Sequence, residues 1–334
     1  MFKGEYSMRK SAGEYCVGRV ISVKQAFFLL GLSICLLFSM CLASVQASDI
    51  IRETVPLERN GVPLHLERYT ERDGKTKQPI LFVHGVTYSS HEFDVDYKDY
   101  SLARYFAKHE FEVWLLDIAG FGNSGNVKNG FMPNSDYAAE DIASAVRLIL
   151  KRNNTSSMDV LGWSWGTVTS GRFAAKHPEM VRRLVLYAPI VAGLGEQDVT
   201  EPFHKNTWES AASDFQRKAD SSIDFNITEK PVVSAYIDNA WHYDKDTSPN
   251  GGRRDLLVSE NIRLIPTEKI KAPTLIIVLH LFNSWTKYLS HDTIIPYVYG
   301  GIVLWDEKQV PLFFLMWIVD IWKPRQELAR FRHR

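Results

Sequence analysis

The chain is poor in cysteine: its 334 residues contain three, Cys16, Cys35 and Cys41. From position 48 onward there is none, so that part forms no disulfide and offers no thiol nucleophile. Net charge is missing as well, because 39 basic side chains balance 39 acidic ones. That balance gives no electrostatic case for nucleic acid or for an anionic membrane surface as partner. Glycine and proline are not enriched and no internal repeat is visible, so nothing points to a low-complexity or solenoid chain.

Hydrophobic residues make up 45% of the chain, ordinary for a globular protein with a sizeable core. The apolar run 26–43 follows Lys3, Arg9, Lys10, Arg19 and Lys24. After it, Val45-Gln46-Ala47 offers small residues at the −3 and −1 positions of a cleavage site. This predicts a signal peptide over 1–47 and export of the remainder, to the periplasm or outside the cell. The alternative is an uncut anchor through 26–43, since about 18 apolar residues is near the lower limit for a membrane span. The sequence predicts membrane contact only through this segment.

Beyond it, apolar β runs alternate with helical periodicity. Pro79-Ile80-Leu81-Phe82-Val83, residues 111–117, Met158-Asp159-Val160-Leu161, residues 181–187 and 272–278 read as buried strands. Residues 100–109, 137–151 and 167–176 carry helical spacing, and Asn60-Gly61 is a hairpin turn signal. Strands alternating with helices predict a parallel sheet covered on both faces, with function at the carboxyl ends of the strands. His84-Gly85, Asp117 and Ser164 all fall at such ends.

Gly162-Trp163-Ser164-Trp165-Gly166 carries the chemistry. A serine on a sharp turn from strand to helix has its hydroxyl clear of the backbone, beside free helix N–H groups and the positive end of a dipole. Glycines on either side permit the tight turn and close helix–strand packing. Those are the needs of a nucleophilic serine.

Phe82-Val83-His84-Gly85, the glycine-rich run 116–125, the serine turn and the strand 272–278 occur in an order and spacing that resemble the α/β-hydrolase superfamily. The resemblance implies a mostly parallel sheet with helices on both faces and a helical cap inserted in it. It divides the chain into a first core part (48–190), a cap (191–270), a core strand (271–278) and a divergent segment (279–334). It implies Ser164 as nucleophile, with the backbone N–H groups of Val86 and Trp165 as oxyanion donors. His84 is then a packing residue near the oxyanion loop, and Asp117 a turn-stabilising acceptor. Trp163, Trp208 and Trp241 are candidate substrate contacts, with Tyr243 beside them, although core packing is the plainer reading of each. His91 to Asp96 reads as a solvated loop without metal spacing, and Arg253-Arg254-Asp255 as a surface ion pair. No metal or organic cofactor is implied.

The family also needs an acid and a histidine after the nucleophile. Here the strand 272–278 runs into Leu279-His280-Leu281-Phe282-Asn283 with no acid, and the final strand, histidine and helix are unrecognisable. The segment 279–334 is therefore expected to be divergent, or to reflect a change of reading frame after Val278. The functional expectation is an exported serine hydrolase acting on small ester-like acyl substrates. Its alternatives are a non-catalytic binding protein that has lost the acid and histidine, and an aminopeptidase-like or amidase activity.

Overall fold

A computed structural model describes residues 50–72, 77–211, 215, 218, 220–226, 228–244, 246–279 and 302–305. The signal peptide or anchor over 1–47 lies outside the described residues, as does all of 279–334 except 279 and 302–305.

The chain opens with an antiparallel hairpin, β1 (Ile50–Arg59) and β2 (Val62–Glu71), in unbroken register from Ile50↔Glu71 to Arg59↔Val62. Asn60 (φ 51°) and Gly61 (φ 76°) make the turn, both left-handed, the geometry that Asn-Gly favours. What the sequence shows as short alternations is one long two-stranded ribbon.

The apolar runs then form β3 (Gln78–Val83), β4 (Phe111–Leu116), β5 (Met158–Trp163), β6 (Val181–Tyr187) and β9 (Thr274–Leu279). They pair in parallel, while β2 joins β4 antiparallel. Strand period two sends alternate residues to opposite faces. Leu81, Val83, Trp114, Leu116 and Val160 pack in one core layer; Ile80, Phe82, Val113, Leu115 and Leu161 pack in the other. Both faces are covered, so these strands read as continuous apolar runs.

The helices are α1 (Leu102–Lys108), α2 (Ser135–Asn153) and α3 (Trp165–Lys176). Ser101 caps α1 by accepting from Arg104 N–H, and Asn134 caps α2 by accepting from Tyr137 N–H. Asn154 closes α2 in the left-handed conformation.

Between β6 and β9 the chain leaves the sheet. It forms a ribbon of β7 (Phe203–Lys205) with β8 (Thr247–Pro249), and the helices α4 (Trp208–Ala211), α5 (Lys230–Asp244) and α6 (Gly251–Leu256). The expected helical insertion thus contains a ribbon as well.

A final strand, unrecognisable in the sequence, is present: β10 (Ile302–Trp305) pairs in parallel with β9, from Ile302↔Ile276 to Trp305↔Leu279. The sheet has eight strands in the order β1-β2-β4-β3-β5-β6-β9-β10.

Candidate active site

Ser164 joins β5 to α3 with φ 55° and ψ −121°. A non-glycine residue rarely adopts this geometry, and the surroundings must hold it there. Ser164 N–H donates to the Tyr187 carbonyl at 3.1 Å. Thr167 donates its hydroxyl to the Ser164 carbonyl at 2.6 Å and accepts from Ile190 N–H at 3.0 Å. The glycines are sterically required: a Cβ at Gly162 would stand 2.2 Å from the Gly166 carbonyl oxygen, and one at Gly166 would stand 2.3 Å from that of Val83.

The loop after β3 faces the serine. Gly85 lies so close that a Cβ there would stand 3.8 Å from Ser164 Oγ. Gly85 N–H donates to Glu92 Oε1 at 3.1 Å, so it is committed. The next amide, Val86 N–H, has no acceptor among the described residues. Trp165 N–H begins α3 and has no carbonyl four residues back within the helix.

His84 is fully buried. Its Nδ1 lies 2.7 Å from the Gly85 carbonyl, to which it donates, and its Nε2 accepts from Ile118 N–H at 3.1 Å. Burial lowers its pKa. A ring with both nitrogens engaged and its cationic form disfavoured is a spacer that ties the loop after β3 to the one after β4.

Asp117 is also fully buried. Its Oδ1 accepts from Ser90 N–H and Oγ–H at 3.0 and 2.6 Å, and its Oδ2 from Asn123 N–H at 2.9 Å. Burial opposes its charge, but His91, whose Nε2 stands 3.5 Å from Oδ2, holds the carboxyl well below the usual range. It is the expected turn-stabilising acceptor.

The stretch 91–96 departs from expectation. His91, Glu92, Phe93 and Asp94 are buried rather than solvated. The His91 ring stacks on Tyr243 at 3.3 Å between centroids. Ligand atoms of His65, His91 and Asp117 lie within 4.8 Å of one another, a convergence of strand β2 with the segments after β3 and β4 that no sequence spacing announces. Asp244, from the last turn of α5, sits beside this group. It accepts from Ser89 N–H and Oγ–H, both at 2.9 Å, and from Gly122 N–H at 3.0 Å. Burial, and then the charge of Asp117, push its pKa up to about 7.

Of the tryptophans, Trp165 is fully buried and donates its indole N–H to Ser135 Oγ at 2.9 Å. Trp163 packs between Phe93 and Tyr187. Trp208, 43% exposed, meets Trp241 edge to face at 6.2 Å. Trp163 thus stands beside the serine, while Trp208 and Trp241 pair with each other in the segment between β6 and β9.

Arg253-Arg254-Asp255 is not an ion pair. Asp255 accepts from Ser135 N–H at 2.7 Å, Arg254 lies over the Phe131 ring, and Arg253 turns inward to donate to Thr87 Oγ1 at 2.9 Å.

The described histidines include none hydrogen-bonded to Ser164 Oγ. The positions following β9 and β10, where the family places its acid and its histidine, fall in 280–301 and from 306 onward, outside the described residues.

A family model described as serine aminopeptidase, S33, matches residues 74–278. A candidate lysophospholipase of Arabidopsis thaliana, BODYGUARD 4, is 24% identical over 123 residues, 36% of this chain and 27% of that protein. A candidate proline iminopeptidase of Mycoplasma genitalium is 25% identical over 128 residues, 38% of each. The matched part therefore spans well under half the length of these curated relatives. Among solved structures, epoxide hydrolase A of Mycobacterium thermoresistibile superposes with a TM-score of 0.55 at 12% identity, covering 82% of this chain and 99% of that one. A candidate lipase of Sulfolobus solfataricus gives 0.56 at 14% identity, covering 78% and 87%. At such identities the likeness concerns the fold.

Proposed function

Because this chain belongs to the serine aminopeptidase S33 family, and so to the α/β-hydrolases, we propose that it cleaves ester-like acyl bonds of a small molecule through an acyl-enzyme on Ser164. The observation that carries the reading is the Ser164 backbone, held at φ 55° between β5 and α3 with its hydroxyl facing the Gly85 loop. Ser164 Oγ attacks the substrate carbonyl carbon while its proton passes to a base. The carbonyl oxygen becomes an oxyanion held by Val86 N–H and Trp165 N–H. Collapse releases the alcohol with the proton and leaves the acyl group on Oγ; water then attacks the acyl carbon, giving its proton to the base, the acyl–Oγ bond breaks, the carboxylic acid leaves and Oγ takes the proton back. Each oxyanion donor would lower the barrier by about 3 kcal/mol. These steps use no cofactor.

Residues 191–270 act in this reading as a cap. Support comes from α5 and α6, which reach the loops after β3 and β4 through Asp244 and Arg253. Trp163, Trp208 and Trp241 are its candidate walls. The chain is exported by removal of 1–47, and the N-terminal residue of the purified mature protein tests this: an intact 26–43 in the membrane fraction means an anchor.

Fluorophosphonate labelling of the full chain tests the nucleophile. Label on wild type that disappears in Ser164→Ala supports the acyl-enzyme. An unlabelled, folded wild type supports the binding-protein alternative. The family match favours one second reading, a peptidase or amidase. Comparing para-nitrophenyl esters with aminoacyl anilides at matched acyl groups separates the two.

A further inference from the structure

Arg253 is a partly buried cation whose hydrogen-bond partners are all neutral. Its Nη1 donates to Ser248 Oγ at 3.2 Å and Asn250 Oδ1 at 3.4 Å, and its Nη2 donates to Thr87 Oγ1 at 2.9 Å. Among the described residues no carboxylate pairs with it, and burial pulls its pKa down to about 10. Withdrawing a guanidinium from water without a counter-charge is unfavourable. The fold maintains this arrangement against that cost.

The neighbours add donors. His204 lies opposite Ser248 across the β7–β8 ribbon, and its pKa is lowered by burial and then by the charge of Arg253. Asn206 is 1% exposed; its Oδ1 accepts the Ser248 hydroxyl at 3.3 Å, while its Nδ2 has no acceptor. Arg253 and Asn206 both bond the Ser248 hydroxyl, His204 lies opposite Ser248 across the ribbon, and among the described residues no carboxylate pairs with Arg253.

The cluster adjoins the nucleophile. Thr87 follows the Gly85-Val86 pair that faces Ser164. Gly252, immediately before Arg253, packs on the indole of Trp165, so tightly that a Cβ there would stand 2.6 Å from the ring.

We propose that Arg253, with Asn206 and His204, recognises an anionic oxygen group, carboxylate or phosphate, carried by the substrate. This rests on the hydrolase reading of Ser164 and names a substrate class for it: acyl compounds bearing a negative charge near the scissile bond. Guanidinium geometry suits either anion, since its donors match paired oxygens.

Two measurements test it. In the full-length Ser164→Ala chain, the His204 ring is followed by NMR during titration with inorganic phosphate and, separately, with succinate. A bound anion raises the His204 pKa, and Arg253→Gln in the same chain abolishes the rise. A response to phosphate alone assigns phosphate-bearing substrates; a response to succinate alone assigns carboxylates. In the active chain, kcat/KM for para-nitrophenyl hemisuccinate is divided by that for para-nitrophenyl butyrate. Arg253→Gln lowers this ratio at least about tenfold, as loss of a desolvated charge contact does, whereas Arg254→Gln leaves it at the parent value. Arg253→Lys, which keeps the charge, retains part of the His204 response and guards against misfolding as the cause. A purely structural Arg253 would change both esters together. If neither ester is hydrolysed and Ser164 is not labelled, the hydrolase reading fails, and the NMR titration still decides the anion site. An unchanged ester ratio with no His204 response overturns the anion site alone.

Discussion

Gly85 and Ser164 face each other across the ends of β3 and β5, and a methyl group on Gly85 would sit 3.5 Å from Ser164 Cβ and 3.8 Å from Oγ. Those are ordinary contact distances, so Gly85→Ala is tolerated by the fold. The added methyl nevertheless occupies space that a substrate carbonyl approaching Oγ must use. Thermal unfolding should move by no more than about 1 kcal/mol. Turnover should fall by roughly 10-fold to 100-fold, with the loss in kcat rather than KM, because a small misplacement acts at the reacting atoms.

Gly166→Ala should behave oppositely. Its Cβ would meet the carbonyl oxygens of Val83 and His84 at 2.3 and 2.7 Å, and backbone cannot move aside as a side chain can. We expect a loss of about 3 kcal/mol or more in denaturant unfolding. Gly61→Ala is the control. Gly61 has φ 76° and nothing within 4 Å of its Cβ position, so only left-handed strain remains, about 1 kcal/mol.

Asp244 makes stability depend on pH. Its folded pKa of about 7 lies above the unfolded carboxylate value. The native state therefore binds the extra proton, and stability falls as pH rises through the window between about 4 and 7, with a slope of up to about 1.4 kcal/mol per pH unit. Asp117, held low, acts the other way: its contribution is present above its unfolded pKa and is lost as pH falls below about 4. Asp244→Asn should flatten the decline between pH 4 and 7 and leave the acid limb in place. Chemical denaturation at a series of pH values reads both.

His84 should not titrate near neutrality. Its pKa is lowered by burial, and protonation would break the bond it accepts from Ile118 N–H. NMR of its ring protons should show no titration step at the ordinary histidine value of about 6.5. A normal titration there would leave His84 free to act as a base.

Most of the sheet is legible because parallel strands covered on both faces have few polar positions to interrupt them, as in Ile80-Leu81-Phe82-Val83. The nucleophile turn was legible because glycines at 162 and 166 are sterically obligatory. Strand β10 was not: four apolar residues beside unrelated polar ones carry no period long enough to recognise. Side-chain direction was the other blind spot. Arg253, Arg254 and Asp255 are adjacent in the chain, but successive residues of a helix point about 100° apart. One reaches Thr87, one covers Phe131 and one caps α2 through Ser135 N–H. The sequence does not reveal the burial of His91 to Asp94 for a similar reason, since partners such as Tyr69 and Tyr243 lie far away in sequence.

The bonds of Asp244 also bear on how the chain folds. Its partners Ser89 and Gly122 precede it by 155 and 122 residues, and they stand on loops whose shape depends on β3, β4 and β5 being paired. Contacts of such long separation form only after the intervening chain has been ordered. The bonds that tie α5 to the loops after β3 and β4 therefore form only once those strands have been brought together, so the insertion between β6 and β9 docks at a high cost in loop closure.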